Sequence, residues 1–312
     1  MRGRTDKVQK EQLWGVVFGQ AIVLIIMSLL LLRACSVSAN ASASSQAIET
    51  QREPALQQDV LIAQAENRIA DNNILGGLAL LDVTITQGQP SARVFGARAA
   101  AYVRIGDYDN AILDYTQATS LAPDNGDYQF GLCYTQVQVG QYQSALPACS
   151  NALQIMPNHF MSWNNRCYIR AYHAGDYEGA VSDCSQAIQI DPNHPYPYNN
   201  RARAYLMMGS YQQAISDATR SIMLNNPHSY LALTNRGTAY LALGNGTAAL
   251  ADYETAINSN PEYDEVYARL GELYRWQNES ALARQAYCQY LTITDAPLQI
   301  VLDRINELGG CG

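Results

Sequence analysis

Seven cysteines, four histidines and a recurrent asparagine–arginine pair hold most of the chemistry available to this 312-residue chain. His159, His194 and His228 stand one or two residues after Pro157, Pro192 and Pro227, a single histidine each time. A metal ion needs three or four converging ligands, so isolated histidines read as loop residues. Cys35, Cys133, Cys149, Cys167, Cys184, Cys288 and Cys311 contain no C-x-x-C pair. That argues against both a zinc ribbon and a thiol oxidoreductase. The amides of Asn164, Asn165, Asn199, Asn200 and Asn235 both donate and accept, a chemistry matched to peptide backbone. Arg166, Arg201 and Arg236 follow them directly and suit bidentate pairing with carboxylates. No nucleophile–base pair or phosphate-binding loop is evident. The expectation is a protein that binds, with no enzymatic activity, no cofactor and no metal.

These residues recur because the chain recurs. Pro123, Pro157, Pro192, Pro227 and Pro261 fall 34, 35, 35 and 34 residues apart. Each stands ten residues before Cys133, Cys167, Ala202, Gly237 or Gly271. Between prolines lies a short turn, as in Gly106-Asp107-Tyr108, Gly140-Gln141-Tyr142, Gly175-Asp176-Tyr177 and Gly209-Ser210-Tyr211. From 92 to 125, Phe95, Ala99, Tyr102 and Val103 keep helical spacing up to Gly106. Ala111, Ile112, Tyr115, Ala118 and Leu121 do so again up to Pro123. Each unit is therefore two helices. Small residues recur where helices cross about 8–10 Å apart, because bulk would hold them apart. A period of this length means a stacked array.

The pattern resembles the tetratricopeptide repeat (TPR) family, whose unit has a small residue at position 8, Ala at 20, an aromatic at 24, Ala at 27 and Pro at 32. Ala111, Ala145, Ala180, Ala214, Ala249 and Ala283 fall on position 20, and Tyr115 and Tyr253 on position 24. Units begin at 92, 126, 160, 195, 230 and 264; those at 160 and 195 hold one extra residue, before Gly175 and before Pro227. The last departs most, with Asn278 in its turn and Tyr290 in place of a small residue. The resemblance implies an all-α, right-handed superhelical solenoid of helix–turn–helix repeats ending in a capping helix.

It also implies a concave groove lined by the first helix of each unit. Asn165, Asn200 and Asn235 would form a row there, beside Asn164 and Asn199. Tyr134, Tyr168, Tyr172, Tyr196, Met207 and Trp276 would supply apolar and aromatic contacts, and Arg203 an isolated charge. An alternative keeps these asparagines and tyrosines as structural habits of the repeat. On the repeat frame Cys133 and Cys149 occupy positions 8 and 24, as do Cys167 and Cys184, positions that face each other across one helix pair. The implied disulfides are 133–149, 167–184 and 288–311, the last tying the final repeat to the C-terminus. Buried free thiols are the alternative. Arg166, Arg201 and Arg236 at position 7 point toward the partner helix, where pairing with acidic residues or helix ends is expected.

The first forty residues are different material. Arg2, Arg4, Lys7 and Lys10, including every lysine in the chain, precede an apolar run over 13–32. Twenty such residues suffice to span a bilayer, and the basic flank places residues 1–12 in the cytoplasm with the rest exported. The run is a signal anchor or a signal peptide cut near Ala39 or Ala41; Leu32-Arg33-Ala34-Cys35 also partly matches a lipidation box at Cys35. A cytosolic protein with an anchored tail is the remaining reading. Residues 33–56 form a Ser/Ala-rich tether, 57–91 a degenerate first repeat, 92–297 six repeats, and 298–312 the cap. Beyond residue 40 the net charge is −11, which disfavours nucleic acid as a partner. The expected function is a membrane-tethered, extracytoplasmic adaptor holding a polypeptide in its groove. A scaffold for an envelope or secretion complex, working through the convex face or edges, and a carbohydrate or glycopeptide binder are the alternatives.

Overall fold

A computed structural model describes residues 57–87 and 91–311, all in helices and their connections. The apolar run over 13–32, the tether and Cys35 lie outside them. Among the described residues no helix is long and apolar enough to cross a membrane.

The chain divides at residue 89 into two units. The described part of the first is a helix pair, α1 over 57–70 and α2 over Ile74–Gln87. Gly77 of α2 sits against Ile69 and the Ala65 carbonyl, where any side chain would collide. Asn72 takes a left-handed φ of 64° in the turn, a conformation asparagine tolerates better than most residues.

The second unit is a solenoid of helix pairs. They are α3 Ala92–Ile105 with α4 Tyr108–Leu121, α5 Gly126–Gln138 with α6 Tyr142–Ile155, and α7 Phe160–Ile169 with α8 Tyr177–Ile190. Then come α9 Pro195–Met207 with α10 Tyr211–Met223, α11 Ser229–Ala242 with α12 Gly246–Ser259, α13 Asp264–Trp276 with α14 Ser280–Ile293, and finally α15 Gln299–Glu307. Each helix packs on the next, and each odd-numbered helix from α3 to α11 also touches the next odd-numbered one. The odd helices thus form the inner row.

The turns explain the sequence period. Gly106, Gly140, Gly175, Gly209 and Gly244 all have φ between 69° and 79°, the left-handed region that ends helices at little cost only for glycine. Asn278, at φ 64°, does the same in the last pair. Asp107, Asp176 and Asn245 then cap the second helix by accepting from the backbone N–H three residues on. The two extra residues are absorbed locally. One widens the end of α7 into a π-turn over Arg170–Ala174. The other lies in the loop after α10, where Asn225 takes φ 55° and buried Asn226 bonds Ser221 and the His228 N–H.

One contact between the two helices of a pair is solved three ways. In the last two pairs Gly237 faces Tyr253 and Gly271 faces Tyr287, both rings fully buried and leaving no room for a β-carbon. In the pair α9–α10 two alanines, Ala202 and Ala218, meet in one cluster. In α5–α6 and α7–α8 the position is covalent: Cys133 is bonded to Cys149 and Cys167 to Cys184, all four sulfurs buried. A third bond, Cys288–Cys311, ties α14 to the segment after α15.

A polar ladder runs beside it. Arg98 grips Asp114, Arg166 grips Asp183, Arg201 grips Asp217 and Arg236 grips Asp252, each through two hydrogen bonds of 2.6–2.9 Å. Three of these arginines also donate backward, to Ser150, Ser185 and Thr219 on the preceding even helix. One guanidinium thereby fastens its own pair and the pair before it, which is where a repeat array needs interface energy. The position-7 arginines are structural, as their expected pairing with acids requires.

Candidate functional site

The inner row brings the asparagines together, but they face one another. Asn164, Asn165, Asn199, Asn200 and Asn235 are all buried. Asn200 Nδ2 donates to Asn164 Oδ1 at 3.3 Å, and Asn235 Nδ2 to Asn199 Oδ1 at 3.2 Å. Asn199 and Asn235 also donate to the Tyr172 hydroxyl at 3.1 and 3.4 Å. Helices α7, α9 and α11 approach closely enough for short amides to bridge them, so most of the row joins repeats. Asn165 differs, since its Nδ2 is buried with no hydrogen-bond partner.

Tyr172 belongs to a larger network that its spacing in the sequence did not disclose. The Arg203 guanidinium lies over its ring at 5.3 Å and donates to Glu265 Oε1 at 2.8 Å. Glu265 Oε1 also accepts from Arg269, and Oε2 from the Tyr263 hydroxyl at 2.6 Å. Residues of α7's π-turn, α9, α11 and α13 thus meet in one charged seam across the inner face. Burial alone would raise the Glu265 carboxyl; Arg203, Arg269 and the Tyr263 hydroxyl outweigh it and hold it at about 2. Burial, then the adjoining Glu265 charge, drives Tyr263 well above the ordinary phenol value. A carboxylate depressed in the folded state stabilises fully above its ordinary value, 4.5, and loses that contribution as pH falls toward 2. Glu265→Gln should therefore lower stability at pH 7 and flatten the acid side of the stability–pH curve over that window, measured by urea unfolding at fixed pH values. An unchanged acid side would show that Glu265 does not carry this term.

The other inner-face residues remain half-exposed. Aromatic rings and loop histidines alternate along the starts of the odd helices. Phe130 meets His159 at 4.5 Å and Phe160 meets His194 at 4.7 Å. Tyr196 lies between His194 and His228, and Tyr230 between His228 and Tyr263. Burial lowers His159 and His194 below the usual imidazole value, against the opposing charges of Asp127 and Asp191; near neutral pH these two are uncharged rings. Tyr134 is half-buried at the inner end of α5, beside Phe130. Tyr168 is tilted against Tyr172 and edge-on to His173, and His173 lies flat on Tyr142 at 3.4 Å. Met207 is 46% exposed at the end of α9. Trp276 is 55% exposed, its ring laid on Gly246 at the start of α12, away from the asparagine row. No cluster of three or more metal-ligating side chains is present among the described residues.

Family models described as tetratricopeptide repeat match residues 92–125, 199–254 and 234–297, and one described as TPR repeat matches 170–209. Together they cover just over half of the chain. The chain belongs to the tetratricopeptide repeat family. A tetratricopeptide repeat protein from Parabacteroides merdae ATCC 43184 is 16% identical, with a TM-score of 0.59 over 80% of this chain and 98% of its own. The C-terminal part of a TPR repeat-containing protein from Cytophaga hutchinsonii is 17% identical, TM-score 0.52, over 78% of this chain and 99% of that one. The Cut9–Hcn1 hetero-tetramer of the APC/C gives 15% identity and a TM-score of 0.61 over 74% of this chain, which spans 45% of the matched chain. At such identities the likeness concerns fold. No curated protein matches the chain. TPR arrays in general serve as non-enzymatic surfaces for protein–protein contact.

Proposed function

We propose that this TPR protein is a non-enzymatic adaptor that is exported, held at the membrane by its N-terminal segment, and binds a polypeptide partner on its inner face. The observation that carries the reading is the ring row. Phe160, Tyr196 and Tyr230, with the loop histidines between them, present half-exposed aromatic surface across consecutive repeats. A row of that kind suits the side chains of an extended segment. Paired cysteines support export, since such bonds persist in oxidising compartments. The acidic balance of the exported part favours a partner that is not a nucleic acid.

A photoreactive residue placed at Tyr196 or Tyr230 tests the reading against one at Met223, 68% exposed on the even-numbered α10. Polypeptide adducts from 196 and 230 in cells, absent from 223, are expected. Adducts from 223 alone would move the function to the outer face and to the scaffold alternative.

A further inference from the structure

A groove of about 410 Å³ lies between the two helices of the last pair. Tyr267, Leu270 and Tyr274 line it from α13, and Leu282, Gln285 and Gln289 from α14. Residues three, four and seven apart share one helix face, so each helix turns one whole face to the groove. The groove is open because the polar ladder stops. In four pairs an arginine and an aspartate span this position. Here the residues 34 places after Arg236 and Asp252 are Leu270 and Ala286, both buried, and they form the floor. Pair α5–α6 has Leu132 and Ala148 at the same positions, but there Asn151 Nδ2 donates to Gln129 Oε1 at 3.4 Å and bridges the helices. The matching residues of the last pair are Gln289 and Tyr267. Tyr267 gives its hydroxyl to the Pro261 carbonyl instead, at 3.1 Å.

The lining carries no charged side chain. A charged ligand would therefore lose water with no counter-charge to replace it. The walls are accessible: Leu282 is 41% exposed, Tyr267 and Tyr274 are half-buried, and the Gln285 and Gln289 side chains are exposed. An amide both donates and accepts, and a tyrosine offers an apolar body with a polar tip. That combination matches a neutral ring with an apolar C–H face and a rim of hydroxyls. The volume falls in the roughly 300–1,000 Å³ range of small-ligand sites. The two amides sit about one helical turn apart, which suits a compact ligand better than an extended chain.

We propose that this groove binds a neutral saccharide. The Gln285 and Gln289 amides pair with its hydroxyls, and its C–H face lies against Tyr274 and Leu282. The site uses a different face of α13 from Glu265, Arg269 and Glu272, stands apart from the ring row and does not depend on the adaptor reading.

Calorimetric titration of the full-length protein, kept in a detergent whose head group is not a sugar, tests the site. The probes are maltose, cellobiose, N,N′-diacetylchitobiose, the acidic digalacturonate, and acetyl-triglycine amide as a peptide backbone. At least one neutral disaccharide should bind saturably at one site, about tenfold or more tighter than digalacturonate or the peptide. Gln285→Leu and Gln289→Leu should each weaken that sugar about tenfold. Gln277→Leu, exposed after α13 and outside the groove, should leave it unchanged. Both groove glutamines are exposed, and unaltered thermal unfolding of each variant would confirm that the fold is kept. Three results would each overturn the proposal: no saturable binding of any neutral disaccharide up to about 10 mM, equal or tighter binding of digalacturonate or the peptide, or glutamine variants that bind normally.

Discussion

Arg201→Leu should destabilise the array by about 3–5 kcal/mol. Asp217 is almost buried, its side chain 10% exposed, and its two oxygens accept from Arg201 Nε and Nη2. Removing the guanidinium takes both donors from a nearly buried carboxylate, and it also releases Ser185 on α8. The double variant Arg201→Leu/Asp217→Leu should recover most of the loss, because a buried pair replaced by apolar residues is often close to neutral. Urea unfolding reports the total, and hydrogen exchange should place the loosening in α9, α10 and the end of α8. A single variant within 1 kcal/mol of the parent, or a double variant no better than the single, would show that the ladder carries little stability.

Opening the Cys133–Cys149 bond should cost about 3 kcal/mol, since it closes a loop of 16 residues. The expected loss is local. In the Cys133→Ala/Cys149→Ala variant, amide exchange should rise in α5 and α6 while α11 and α12, held by Gly237 against Tyr253, stay protected. The pair α5–α6 is the one to watch. Its counterparts of the arginine and aspartate of the ladder are Leu132 and Ala148, so this pair has the covalent bond without the ion pair that accompanies it in α7–α8. Mass mapping of unreduced protein is the accompanying check. Free thiols at Cys133 and Cys149 would remove both the bond and its support for export.

The fold was legible because its causes are periodic. Glycine at every turn from α3–α4 to α11–α12, proline after the first five pairs and a small residue at each crossing repeat every 34 or 35 residues, and each has a steric reason at its own position. The arginine partners were legible as a class, since position 7 points at a neighbouring helix whatever acid it finds there. The inner face was harder. Asn164, Asn199, Asn200 and Asn235 were visible as a row, but whether an amide faces a ligand or the next amide depends on how tightly successive odd helices approach. Periodicity does not encode that spacing. Arg203 and Glu265 are 62 residues apart and occupy no shared repeat position, so nothing in the pattern joins them.

The π-turn at Arg170–Ala174 shows what kind of count the array keeps. One added residue inside an α-helix turns everything after it by about 100°, which would swing Gly175, Asp176 and all of α8 out of register with α9. Taken up as a single wide turn at the helix end, the same residue leaves the downstream pairs in phase, and Cys167 still meets Cys184 although 17 residues separate them instead of 16. The solenoid conserves turns, not residues. Its units can therefore lengthen one at a time at their inner-helix ends, changing the local inner surface, as His173 stacked on Tyr142 does here, without renegotiating any other repeat.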